Sequence, residues 1–356
     1  PEHPATQFRL GLRDGTVILP SQPMCVPAGA WFFWPVNLAL DGLPLRHASA
    51  QPVCRLGTPE GSLFVFAAQA GIEVEFAFGP GVLAGVTGVF DRRQAADGLT
   101  ILSGLRPGPA CLLELHGTGG QRTRVLTLRE EDVPRLYKAE FAGAERLLLS
   151  DAAVFADDDG LHLRWRHADD LWLALYPDVP GGLRYGGQAL AGTAHGVFTR
   201  YAMPATGRRI EVRARRLRAA APPAPVRIGP AGVATVPDEA AWQHAETWQV
   251  TLPPDALHDA ADAFLVVNYV GDVARACVDG RLVADDFYNG RPWEIGLRRF
   301  APEVLEHGLT LQLLPLRADA PVYIEKECRP DFGGCDWVVE LRGLRLEAEI
   351  ERVVTP

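Results

Sequence analysis

Apolar residues recur with period two, or in short unbroken runs, along most of this 356-residue chain. Period two is the spacing of a strand with one face on a core, and a short unbroken run suits a strand buried on both faces. Residues 264–270, FLVVNYV, flanked by Asp262 and by Gly271-Asp272, read as a buried strand. Residues 273–278 read as a second strand and 281–284 as a third. Between these two stands Asp279-Gly280, a strong hairpin signal, because a type I′ turn needs positive φ at both central residues. A helical turn over 302–307, closed by Gly308, leads to a further strand at 309–314. Strands joined by a tight hairpin and then by a long loop predict a jelly roll or related antiparallel sandwich.

The same reading divides the rest of the chain. A first β-sandwich domain covers 7–128, with strands at 16–19, 31–40, 62–68, 72–78 and 110–116. A small second β domain covers 129–218. It opens with EEDVPRLYKAEF, whose acidic start suits a helix N-terminus, and continues with strands at 146–149, 161–166, 171–176 and 210–217. Residues 219–239, which contain AAAPPAP, form a linker or a strap over the surface. The last domain covers 240–353. The predicted fold class is all-β, with tandem antiparallel sandwiches. Nothing alternates strands with helices of roughly 10–15 residues, as a (β/α)8 barrel requires.

Two stretches resemble a known family. Residues 268–297, NYVGDVARACVDGRLVADDFYNGRPWEIGL, resemble the C-terminal jelly-roll region of bacterial family 35 glycoside hydrolases, the β-galactosidases. Residues 29–56, GAWFFWPVNLALDGLPLRHASAQPVCRL, are similar to the β-domain that follows the catalytic barrel in those enzymes. Residues 146–150, with Ala152 and Val154, also fit. The resemblance implies a galactose-binding-like jelly roll at 240–353. It places the family's two catalytic glutamates on a barrel upstream of the matched region, so it assigns no catalytic residue to this chain. It implies a galactoside carbohydrate and a barrel domain, in cis or in trans, as partners. The chain begins at Pro1 without an initiator methionine, which reads as a trimmed product. The alternatives are a free-standing carbohydrate-binding or adhesion module and an enzyme in its own right.

Charge and composition narrow the field. The formal net charge is −9 and there is no basic stripe of the kind that phosphate binding uses, which argues against a nucleic-acid partner. The basic run 208–218 alternates with apolar residues and reads as a strand with a solvated arginine face. No run of about 18 apolar residues predicts a membrane span. Abundant arginine and alanine, with only Lys138 and Lys326 as lysines, hint at a GC-rich bacterial genome. The expected setting is soluble and bacterial, cytoplasmic or periplasmic. No cofactor or metal is expected. Asp157-Asp158-Asp159-Gly160 lacks the spaced carboxylates of a calcium loop and reads as a hairpin turn. G-x-S-x-G and Lys-terminated phosphate loops are absent from the sequence.

The best ligand candidate is the loop 285–293, with Asp286, Tyr288, Asn289, Arg291 and Trp293. Flat aromatic faces together with planar hydrogen-bonding groups suit carbohydrate or a domain interface. A structural reading stands beside it: Asn289-Gly290 is a turn, Trp293 caps the core, and Asp285 or Asp286 pairs with Arg291 or Arg298. In IEVEFAF, alternation puts Glu73 and Glu75 on one solvated sheet face, rather than making them a glycosidase pair across a cleft. Cys328 and Cys335 bracket the turn-rich RPDFGG and form a candidate disulfide; the other four cysteines read as small buried hydrophobes.

Overall fold

The computed structural model describes residues 2–13, 15–166, 170–204 and 209–356. The protein is all-β, built from antiparallel sandwiches. It divides into two units: Pro1–Leu163, Asp170–Pro204 and Arg352–Pro356 in the first, Arg164–Asp169 and Ala205–Glu351 in the second. Among the described residues no helix is long and apolar enough to cross a membrane.

In the first unit a two-stranded ribbon, His3–Leu12 with Gly15–Val26, precedes three five-stranded sheets, the last of which runs Leu136–Phe141, Ala144–Leu149, Leu171–Tyr176, Phe198–Met203, Gly192–His195, and the first two of which form a pair. One sheet runs, in spatial order, Val36–Leu40, Leu43–Ala48, Phe76–Phe78, Thr100–Ser103, Asp91–Gln94. The other runs Gln51–Thr58, Gly61–Ala68, Arg122–Arg129, Leu112–Gly117, Leu83–Thr87. Arg122–Arg129 lies parallel to Gly61–Ala68, with Leu126 opposite Val65. This second sheet is covered on both faces. Phe66 and Ala68 pack with Leu45, Phe76 and Phe78 on one side, while Leu63 and Val65 pack with Leu147, Leu149 and Phe198 on the other. Burial on both faces is why SLFVFAA is continuously apolar instead of alternating.

Three expectations change here. EEDVPRLYKAEF does not make a helix. Its first half is a 3-10 turn, Glu130–Arg135, and its second half is the strand Leu136–Phe141, paired with Ala144–Leu149. Pro134 within that turn has no N–H to continue a helix, and its ring restricts the residue before it. Of the strands expected over 31–40 and 72–78, only Val36–Leu40 and Phe76–Phe78 are paired. As expected, by contrast, Asp157-Asp158-Asp159-Gly160 is the turn of a hairpin, with the Asp157 carboxylate accepting from the N–H groups of Asp159 and Gly160 and bonded to His162 at 2.8 Å.

The second unit is a sandwich. One sheet runs Arg213–Arg218, Glu246–Thr251, Leu309–Leu313, Val273–Val278, Arg281–Phe287. Facing it, Asp262–Val270 pairs with Trp293–Gly296 and with Glu340–Thr355. Leu265, Val267, Tyr269, Trp293, Ile295, Leu309 and Leu311 share its core. Asp279 (φ 47°) and Gly280 (φ 73°) are both left-handed, as the I′ turn demands. Glu303–His307 is helical and Gly308 caps it at φ 67°, where a Cβ would meet the carbonyl oxygen of Val250 at 2.2 Å. Arg213–Arg218 is exposed throughout, in keeping with a solvated arginine strand; Arg208, the first residue of the basic run, lies outside the described residues.

Candidate functional site

The loop 285–293 begins on the end of strand Arg281–Phe287 and returns into Trp293–Gly296. Its five candidate residues do not converge on one point. Trp293 is buried in the core, opposite Val267 on the neighbouring strand. The Asn289 side chain accepts from the Arg291 N–H at 2.9 Å, an Asx turn that holds Gly290 at φ 81°. Arg291 is exposed. Asp286 and Tyr288, by contrast, turn toward a residue that the pattern analysis passed over. The hydroxyl of Tyr269 donates to the Asp286 carboxylate at 2.8 Å, and the Tyr288 ring meets the Tyr269 ring edge-on, with centroids 5.7 Å apart. The legible signal was a tyrosine within a fully buried run, since a buried phenol needs a partner for its O–H.

A second aspartate joins this cluster through the backbone. Asp272 donates its N–H to the carbonyl of Leu314 at 2.8 Å and accepts the N–H of Tyr288 at 3.0 Å. Burial pushes the carboxyls of Asp272 and Asp286 above the usual carboxylate range, although the Tyr269 bond partly offsets this for Asp286. Burial, then the charge of Asp286, drives the Tyr269 hydroxyl far above its ordinary value, and burial raises that of Tyr288. Two carboxyls that resist ionisation, beside two phenols, form a functional-site candidate with a stated physical cause.

The segment after Arg317 lies over the loop. Tyr288 donates to the carbonyl of Cys328 at 3.1 Å, and a Cβ on Gly290 would stand 2.5 Å from that of Cys328. Cys328 and Cys335 are both free thiols in the structure, the first partly buried and the second exposed. Cys328 is packed against Gly290 of the loop instead of being bridged to Cys335.

The first unit corrects one expectation about carboxylates. Glu73 is exposed, but Glu75 is buried and not solvated. It lies just before the paired segment Phe76–Phe78, where strict alternation no longer holds, so Val74 and Glu75 are both covered. Its carboxylate meets His47 Nε2 at 3.0 Å, the N–H of Ser21 at 2.6 Å, the Ser21 hydroxyl, and Arg93 at 4.0 Å. Burial raises the Glu75 carboxyl, but the bonds from His47 and Ser21 outweigh it and hold the group below its ordinary value. The serine and the histidine both bond the glutamate, so the histidine does not stand between acid and hydroxyl as a hydrolase triad requires.

The most exposed aromatic surface of the first unit comes from residues 31–34, WFFW. The segment is extended, so its side chains alternate. Phe32 and Trp34 stack at 4.0 Å, with Phe8 of the ribbon edge-on to both. The Trp34 indole N–H donates to Gln69 at 3.1 Å. Trp31 and Phe33 point the other way, 67% and 69% exposed, with ring centroids 6.3 Å apart at 78°. Two large rings are thus held in solvent on a rigid backing.

No family model and no curated protein matches this sequence. Among solved structures, the GH31 α-xylosidase of Xanthomonas citri shares 12% identity; the match covers 86% of this chain and 38% of that one, at a TM-score of 0.14. So slight a likeness bears on neither fold nor function.

Proposed function

We propose that this chain is a non-catalytic β-region of a β-galactosidase-like glycoside hydrolase, supporting a catalytic barrel and contacting carbohydrate. The reading rests on the resemblance of 29–56 and 268–297 to the post-barrel domains of family 35, with 240–353 as a galactose-binding-like jelly roll. The observation that carries the carbohydrate contact is the exposed pair Trp31 and Phe33, which lies within the first of those stretches. Aromatic faces held in water gain by covering the C–H faces of a sugar, and stacking of this kind needs rigid rings more than it needs charge. Phe32, Trp34 and Phe8 supply that rigidity.

Tryptophan fluorescence during titration with β-galactan oligosaccharides tests this. We expect saturable quenching that weakens about tenfold in Trp31→Ala/Phe33→Ala, with the melting temperature unchanged because both side chains are exposed. We expect the purified chain to leave a nitrophenyl β-galactoside intact. Hydrolysis that a single Glu or Asp substitution abolishes would defeat the non-catalytic reading, and quenching that survives the double substitution would remove the aromatic pair from it.

A further inference from the structure

The second unit contains a cavity of about 220 Å3 beneath the segment expected to be a linker or strap. The segment is tied down. Ala221 donates to the carbonyl of His244 at 3.0 Å, Arg317 donates to that of Pro223 at 3.4 Å, and Thr235 donates to that of Arg227 at 2.9 Å. Its prolines and Val236 wall the cavity, together with Leu314, Pro315, His244 and Asp272. The space is smaller than the ~300 Å3 at which pockets for drug-sized ligands begin, and it suits one ring of monosaccharide size.

The polar groups around it fall into two sets. Arg227 pairs with Asp238 at 3.0 Å and Arg317 with Asp319 at 2.7 Å, so both arginines are already neutralised. Asp272 and His244, both half-buried, also line the cavity. No hydrogen bond or ion pair reaches the Asp272 carboxyl among the described residues, and the buried Nδ1 of His244 has no hydrogen-bond partner. A half-buried carboxyl beside an imidazole offers hydrogen-bonding groups of two kinds to the hydroxyls of a ring. An anion would meet the carboxyls of Asp272 and Asp238, which both line the space. A hydroxyl both donates and accepts, and it fits a carboxyl and an imidazole in either protonation state.

We propose that this cavity binds a neutral polyhydroxylated ring, a single monosaccharide or cyclitol, through Asp272 and His244, with its C–H faces against Val236, Leu314 and the prolines. The site is independent of Trp31 and Phe33, so either can fail while the other stands.

The test is titration of the whole chain with D-galactose, D-glucose and myo-inositol, followed by calorimetry and by the ring resonances of 15N-labelled histidine. We expect saturable binding of at least one probe and a shift of the His244 resonance in the unsubstituted protein. In a Trp31→Ala/Phe33→Ala background, which removes the aromatic contact, Asp272→Ala and His244→Ala should each weaken binding about tenfold or more. Should Asp272→Ala fail to fold, Asp272→Asn and the His244 shift carry the same test. Absence of saturable binding by all three probes would overturn the proposal, as would binding that survives both substitutions, or binding of ethylammonium in preference to the rings.

Discussion

A buried glutamate of the first unit and a half-buried aspartate of the second end in opposite electrostatic conditions. Glu75 in the first unit is surrounded by donors: His47, the Ser21 N–H and hydroxyl, and Arg93 close by. Asp272 in the second unit has its backbone bonded on both sides while its carboxyl meets no donor. Burial raises both groups, and only the partners of Glu75 bring it back below its ordinary range. The lesson is that depth alone does not say what a buried carboxylate is for. One with its lone pairs filled is a clamp, here fastening the ribbon strand Gly15–Val26 to the first sandwich. One left open beside a cavity is poised for a ligand.

The largest expected effect lies at the clamp. Glu75→Ala should destabilise the chain by about 3 kcal/mol in chemical denaturation, because His47 and the Ser21 N–H lose a buried acceptor together. The pH dependence follows from the direction of the shift. A carboxyl held below its ordinary 4.5 contributes its stability fully above that value and loses it as the pH falls through the folded-state pKa. Native protein and Glu75→Gln should therefore converge in stability as the pH drops below that range. A loss under about 0.5 kcal/mol for Glu75→Ala would make Glu75 no clamp.

Next comes Tyr269→Phe, which would turn Asp286 into a second open carboxyl like Asp272. About 2 kcal/mol of stability should go with the lost donor. Equal melting curves would mean that Asp286 already finds another partner and that the tyrosine merely fills space.

Asp272→Asn should act in the opposite direction and by less, a gain of about 1 kcal/mol at neutral pH. A carboxyl raised above its ordinary 3.8 has its full stability below that value and loses it as the pH rises through the folded-state pKa. The variant and the native chain should thus match in acid and diverge toward neutrality. A destabilised variant at neutral pH would show that the Asp272 carboxylate is satisfied after all, and the contrast with Glu75 would collapse.

Much of the fold was legible. Asp279-Gly280 announced its hairpin because a I′ turn excludes nearly every other pair, and 62–68 read as a strand, although only the structure showed it covered on both faces. The prolines of 219–239 suggested a linker or a strap over the surface, whereas the cavity those residues line left no sign in the sequence. The candidate loop was readable only in part. Asp286 and Tyr288 belong to a cluster, whereas Asn289 shapes a turn and Trp293 fills the core. Tyr269, His244 and Asp272 escaped notice because each sits in an ordinary local context, and their significance comes from neighbours far along the chain.

The sequence by itself determined the class of structure. Strand periodicity and turn residues are local properties, set by backbone sterics and by which face must leave water. Only the tertiary structure decided the fate of the carboxylates. Glu73 and Glu75 share one alternating pattern, but Ser21, 54 residues away, and His47, 28 residues away, come to Glu75 alone. Asp272 is open because the strap, the helical turn at Glu239–His244 and the chain at Leu314 enclose it without supplying a donor. Partners contributed from distant points by chain closure leave no periodic trace, and those partners set the charge and the use of a buried group.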